Sequence, residues 1–193
     1  MDHDLVLNKL LPYRLGAVSA LAIALKYRFL WDDPKPMQIY FDGELAIEGN
    51  SYGFLNPAID SGLVHCRALL EFLGLCVRDG SLHNVKLPRR SDDIGIEAFS
   101  NAAGPLPLVT PAVAIARYTG DSAEAENALL AVFQATNKGL AHITRDFNIS
   151  QADAKPIEIA SRGIQALIIS HVYTALGLPP PELEIKSRPR GGC

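Results

Sequence analysis

Apolar residues recur at three- and four-residue spacing in four segments of the chain, and this pattern predicts four main helices. The first covers residues 12–29 and is apolar nearly all round, which indicates burial on several sides. The second covers residues 56–78 and the third 121–145, with a short helix at 110–118 before it. The fourth follows Pro156, and Gly177 supplies its C-terminal stop.

A different pattern, two short β-prone runs, lies between the first two helices at residues 38–47. Asp42 and Gly43 separate the runs, and a two-residue turn of this composition is the strongest short-range signal for a β-hairpin. An isolated hairpin is marginally stable in water, so we expect this one to pack against the helices.

The remaining segments interrupt the helical pattern. Residues 79–111 are rich in Pro, Gly, Ser and Asn and predict a long connection with a short helical piece around 92–98. Residues 179–193 predict an extended or disordered tail. The expected fold is therefore all-α: one four-helix bundle domain over residues 1–178, with the small hairpin inserted.

Composition narrows the functional classes. The chain has 193 residues, is 48% hydrophobic and carries a formal net charge of -3, which argues against disorder and against a basic surface for duplex DNA. No apolar run is long enough to span a membrane, and the first residues do not resemble a secretory signal. Three cysteines without metal-ligand spacing favour the reducing cytoplasm.

Sequence motifs of known enzyme classes are absent. No GxGxxG, GxxxxGK[ST], HExxH or GxSxG is present, so we predict neither a cofactor nor a metal. A metal site would require His65 and Glu71 to converge with His142 or His171, and no ligand spacing supports that.

The principal candidate catalytic set lies at the end of the third predicted helix. Lys138, His142 and Arg145 share one helical face, and Asn137 adjoins them. An imidazole that titrates near neutral pH, beside two cations, suits phosphodiester chemistry. The alternative is a solvated helix end whose cations complement the helix dipole.

A candidate ligand-binding set lies on the second predicted helix. His65, Arg67 and Glu71 could contribute the polar groups of a small-molecule pocket in the bundle. The alternative is an ordinary i, i+4 ion pair between Arg67 and Glu71, with His65 at the edge of the core.

Three segments, 67–73, 92–99 and 137–144, resemble a loose pattern in uncharacterised bacterial helical-bundle proteins and, more distantly, HEPN-type bundles. The HEPN resemblance implies a homodimeric four-helix bundle and, in many members, a metal-independent ribonuclease with Arg, four to six residues, then His. No Arg stands at that spacing before His142. Arg78 and His83 have the spacing and form the second candidate catalytic pair.

Three functional hypotheses follow. The first is a self-associating binding or interaction module without a recognisable catalytic motif, with a homodimer as its expected assembly. The second is a HEPN-like endoribonuclease acting on RNA as a homodimer. The third is a small-molecule-binding bundle.

Overall fold

The computed structural model describes residues 2–139, 150–183 and 185. Five helices lie within these ranges: α1 (Leu11–Arg28), α2 (Ser51–Leu73), α3 (Pro111–Ala116), α4 (Ser122–Gln134) and α5 (Gln151–Ile168). Helical turns flank three of them: His3–Leu5 and the π-helical Val6–Leu10 before α1, Ala135–Gly139 after α4, and Ile169–Thr174 after α5.

The prediction of an all-α four-helix bundle is wrong, because strands form three small antiparallel sheets. The strands are β1 (Pro36–Phe41), β2 (Glu44–Asn50), β3 (Leu75–Arg78), β4 (Ser81–Asn84), β5 (Ser100–Asn101) and β6 (Gly104–Pro105). Each strand pairs with its neighbour in sequence. The described part is 57% helical with 15% strand, a mixed α/β structure.

The core is built on α1 and α2, which approach each other closely at a glycine. A Cβ atom at Gly62 of α2 would overlap the Cβ of Leu21 on α1 and come within 3.0 Å of the Ala17 carbonyl oxygen. The residues around this crossing, among them Val18 and Leu63, are fully buried. The absence of a side chain at Gly62 therefore sets the distance between the two helices.

Helix α2 lies about one turn earlier in the chain than the predicted 56–78. The Asn50 side chain caps its first turn by accepting from the Gly53 amide at 3.1 Å. Gly74 ends it with φ of 101°, a conformation that L-residues rarely adopt. Leu75–Arg78 consequently leaves the helix and becomes β3, which takes Cys76 away from buried Cys66; both thiols are free.

The predicted long connection, 79–111, is more structured than expected. Asp79 and Gly80 both have positive φ, and this turn joins β3 to β4. The predicted helical piece corresponds to a single 3₁₀ turn, Ile96–Ala98, followed by the β5–β6 pair. Ile96, Phe99 and Val109 are buried, so the connection contributes to the core.

The ends of the later helices follow their capping residues. Asp121 caps α4 by accepting from the Ala123 amide at 2.9 Å. Helix α5 begins before Pro156, not after it, because Ser150 and Asp153 form a capping box. Gly177, with φ of 71°, follows the last helical turn as predicted.

The C-terminal segment is described only as far as 183 and at 185. Its described residues have no regular secondary structure, and Leu183 packs half-buried against the core. The rest of the predicted tail lies outside the described residues.

Substituting Gly62 by Ala tests the close approach of α1 and α2. The added methyl group must displace Leu21 or the α1 backbone, so we expect the free energy of unfolding to fall by about 2 kcal/mol. Gly53→Ala, in the same helix with nothing within 4 Å of its Cβ position, is the matched control and should raise it by about 0.5–1 kcal/mol. Urea denaturation measures both, and equal effects would contradict the packing argument.

Candidate functional site

The β1–β2 hairpin presents an apolar face to solvent. Cross-strand partners and alternate residues of one strand share a face, so Met37, Ile39, Phe41 and Ile47 lie together, with Glu44 opposite Phe41 on the same side. We call these four residues the hairpin apolar face. Phe41 is 65% exposed and Ile47 is 48% exposed, whereas Met37 and Ile39 are half-buried. The expectation that the helices cover the hairpin is therefore wrong for most of its length.

The opposite face of the hairpin is held by polar contacts. Tyr40 Oη donates to Gln38 Oε1 at 2.8 Å, and Gln38 Nε2 donates to Glu48 Oε1 at 3.3 Å. The register shifts by one residue after Ile39, which is the signature of a β-bulge and increases the local twist. Leu45, opposite Tyr40, is the apolar residue of this second face, so the hairpin exposes apolar side chains on both sides, and no layer of the described chain covers them near the turn.

The base of the hairpin is fixed to the start of α2. The Lys35 amide donates to Ser51 Oγ at 3.0 Å, and the Ser51 amide donates to the Lys35 carbonyl at 2.8 Å. Asp42 and Gly43, with φ of 51° and 83°, form the predicted turn at the far end. The result is an arm anchored at one end.

Residues of two predicted site sets contact each other, the ligand-binding set on α2 and the principal catalytic set on the turn after α4. Arg67 Nε lies 2.8 Å from Glu71 Oε1, which confirms the i, i+4 ion pair. Arg67 Nη1 also donates to Asn137 Oδ1 at 2.5 Å. Arg67 thereby links the second helix to the π-helical turn Ala135–Gly139, a connection that local spacing did not indicate.

The rest of the principal catalytic set cannot be placed beside Asn137. His142 and Arg145 lie outside the described residues, as does the side chain of Lys138.

His65 lies at the edge of the core, half-buried, between α2 and α1. Its Nδ1 is 3.1 Å from Arg14 Nη1, and since a guanidinium only donates, Nδ1 is the acceptor. The Tyr13 ring packs edge-on at 5.1 Å between centroids. Burial, and then the nearby Arg14 charge, lower the pKa of His65. His65 is therefore a hydrogen-bonded neutral side chain of the kind expected at a core edge.

The second candidate catalytic pair lies on the β3–β4 hairpin. Arg78 is opposite Ser81, and His83 is opposite Cys76, so Arg78 and His83 share a face as diagonal neighbours. Arg78 Nη2 donates to the Asn84 carbonyl at 2.9 Å, and both Arg78 and His83 are exposed. This face presents an accessible imidazole beside an oriented guanidinium.

A third cluster, centred on Arg89, was missed by sequence reasoning. Arg89 Nε is 2.6 Å from Glu97 Oε1, and Nη1 donates to the carbonyl of Glu71 at 2.9 Å. Nη2 reaches the Phe72 carbonyl at 3.3 Å, so the guanidinium caps the C-terminal carbonyls of α2. The Pro-Arg-Arg-Ser context of Arg89 is that of an ordinary surface cation, which is why no sequence signal distinguished it.

A cavity of ≈ 330 Å³ lies beside this cluster. Its polar lining includes Arg14, Glu71, Arg89, Asp92 and Asp93, and its apolar lining includes residues of the first helix. Glu71 thus borders a cavity, as the small-molecule hypothesis predicts, whereas His65 does not line it. The charged groups that line the cavity are of both signs. Arg89 and Glu71 already form hydrogen bonds or ion pairs within the fold.

Neither a metal site nor a membrane-spanning helix is found within the described ranges. Across residues 2–139, 150–183 and 185, no group of three or more His, Cys, Asp or Glu side chains is placed to hold a metal ion. In the same ranges, no helix combines the length and apolar character needed to cross a membrane.

Comparison with known proteins adds no relative: no family model, no curated protein and no solved structure matches this chain.

Removing the Arg89 side chain tests its role in the fold. Arg89 is only 11% exposed, and Arg89→Ala leaves Glu97 and two helix carbonyls unpaired, so we expect a loss of about 3 kcal/mol in the free energy of unfolding. Arg78→Ala, which removes an exposed arginine with one backbone bond, should cost less than about 1 kcal/mol. Denaturant unfolding compares the two, and a similar cost for both would refute the capping role.

Proposed function

We propose that the protein is a self-associating interaction module whose β1–β2 hairpin binds a second copy of the chain. The observation that carries the proposal is the hairpin apolar face, which reaches 65% exposure at Phe41. A two-stranded hairpin is at best marginally stable without further packing. Apolar surface that the chain leaves uncovered near the turn favours association, because burial removes it from water.

The charge pattern of the strands favours pairing through β1. Strand β1 contains no charged residue, whereas β2 carries Glu44 and Glu48. Antiparallel pairing of two β2 edges would bring the carboxylates of both copies into two neighbouring strands, which is unfavourable. Pairing of two β1 edges avoids this repulsion and gives a four-stranded antiparallel sheet.

The β1 pairing also satisfies the symmetry of a homodimer. Two identical strands that pair antiparallel are related by a two-fold axis, so each copy uses the same surface. The hairpin apolar faces of both copies then lie side by side on one surface of the new sheet, where apolar side chains of the two β1 strands pack laterally against one another. The free thiols of Cys66 and Cys76 suit a reducing compartment, and we place this assembly in the cytoplasm.

Charge introduced at the end of the hairpin tests the association. We expect the wild-type protein to be a dimer in sedimentation analysis and Phe41→Lys to weaken it roughly 10-fold, since the symmetric pairing loses the cross-strand contacts of Phe41 twice, each contributing about 0.2–1 kcal/mol. Tyr13→Lys is the matched control, because Tyr13 is an equally exposed aromatic, 67%, on helix α1. A monomeric wild type, or equal dissociation by both variants, would refute the proposal.

The choice of strand is tested in the same experiment by cross-linking. Gln38→Cys on β1 should form a disulfide between copies under mild oxidation, whereas Glu48→Cys on β2 should not. If Glu48→Cys forms the disulfide and Gln38→Cys does not, the copies associate through β2 and not through β1.

A second candidate function is metal-independent RNA cleavage, favoured by the shared face of Arg78 and His83. An imidazole transfers protons near neutral pH, and a guanidinium stabilises the charge that develops on a phosphodiester. The HEPN resemblance implies the same chemistry and the same dimeric state.

Cleavage of RNA in the presence of EDTA tests this second function. We expect His83→Ala to abolish cleavage and Arg78→Ala to reduce it at least 100-fold, while Lys86→Ala, an exposed cation on the same connection, leaves it unchanged. Loss of activity in His142→Ala but not in His83→Ala would assign the chemistry to the principal catalytic set instead. Absence of cleavage by the dimer would exclude this function and leave the interaction module standing.

A further inference from the structure

A second cavity, distant in sequence from the hairpin, lies between α3, α4 and α5. Its volume is ≈ 380 Å³, within the range of small-molecule pockets, roughly 300–1,000 Å³. We call it the alanine pocket, because its inner wall is made mostly of small apolar side chains. That wall includes Ala125, Ala128, Leu129, Ala160, Gly163 and Leu167.

The small side chains explain why the cavity is open. A Cβ atom at Gly163 would meet no atom within 4 Å, so the helix surface there faces unfilled space. Ala125, Ala128 and Ala160 are nearly fully buried, yet each contributes only a methyl group to the wall. These wall residues therefore offer apolar contact, and the polar side chains of the lining are those of Arg117, Tyr118, Thr119 and Arg162.

The rim of the alanine pocket carries arginines. Arg117 and Arg162 both line it and are both exposed. Arg162 Nη2 is 3.2 Å from Glu158 Oε1, an exposed pair of the kind that contributes little. Within the described part of the chain, Arg117 takes part in no hydrogen bond or ion pair.

The acidic groups near the rim are already engaged. Glu124 accepts from Tyr118 Oη at 2.5 Å and lies 3.0 Å from Lys155 Nζ. His171 is close enough to Arg117 for that charge, after burial, to lower its pKa, so the imidazole is neutral at pH 7. The cations Arg117, Lys155 and Arg162 outnumber the carboxylates of Glu124 and Glu158, which leaves a positive rim.

We propose that the alanine pocket binds a small amphipathic anion, a carboxylate attached to a short apolar chain. The apolar chain lies along the alanine and leucine wall, and the carboxylate meets Arg117 and Arg162 at the rim. Arginine suits this role because its guanidinium can bind a carboxylate through two parallel hydrogen bonds. The inference is independent of the proposed self-association, since none of these residues belongs to the hairpin.

Titration calorimetry of the full chain with octanoate tests the proposal. Octanoate should bind saturably with one site per chain, and Arg117→Gln should weaken binding about 10-fold, the effect expected for losing a charge-assisted hydrogen bond. Arg90→Gln, an exposed arginine outside the pocket, is the matched control and should leave the affinity unchanged. Octanol, which has a similar chain without the charge, should bind at least 10-fold more weakly.

A second variant tests the wall and not the rim. Gly163→Leu should fill the cavity and abolish octanoate binding, whereas Gly53→Leu, at another helical glycine with open space, should not. Circular dichroism confirms that each variant folds. Absence of saturable binding at millimolar octanoate would overturn the proposal, as would equal binding of octanol or inorganic phosphate, or unchanged binding in Gly163→Leu.

Discussion

The close approach of α1 and α2 at Gly62 is the constraint on which the rest of the structure depends. With the two helices in direct contact, α5 can pack against α1 as well, and Gln165 Nε2 donates to Ser19 Oγ at 2.8 Å across that interface. Farther along, Tyr173 Oη donates to the Leu7 carbonyl at 2.7 Å, and burial raises the pKa of Tyr173 to about 12. Helix α1 is thereby held on two sides, which explains why its sequence is apolar nearly all round.

Polar side chains attach the long connection to this helical framework. Arg89 binds the last carbonyls of α2, and Asn84 Nδ2 donates to the carbonyls of Gly74 and Val109 at 3.0 Å and 2.8 Å. The bonds to the carbonyls of Glu71, Phe72 and Gly74 satisfy groups that the C-terminal end of α2 leaves unpaired. The connection then buries Ile96 and Phe99, and what composition predicts as a loop becomes part of the core.

Sequence reasoning located the helices well and their ends less well, for a physical reason. Apolar spacing records which residues face a core, but Leu75 and Val77 of β3 also face it, so the residues after the end of α2 are apolar as well. Gly74 was the only local signal of the boundary. The hairpin turn at Asp42 and Gly43 was predictable because its backbone conformation restricts the residue types that fit there.

Among the candidate site residues, too, contacts set by local spacing were predictable and contacts set by the tertiary fold were not. The Arg67–Glu71 pair was predictable because both lie on one helix four residues apart. The contact of Arg67 with Asn137 and the bonds of Arg89 were not, since they join residues that only the tertiary fold brings together. The alanine pocket was equally inaccessible, because small residues at helical spacing predict close packing and not the space that remains here.

The attachment of the β1–β2 hairpin at its base separates two kinds of stability in one chain. The helical core is held by contacts within one chain, whose strength does not depend on how much protein is present. The arm, in contrast, completes its packing only on a second copy. This association follows mass action, so the fraction of ordered arms rises with protein concentration. On the proposed association, the local abundance of the protein itself determines what fraction of the arms is ordered.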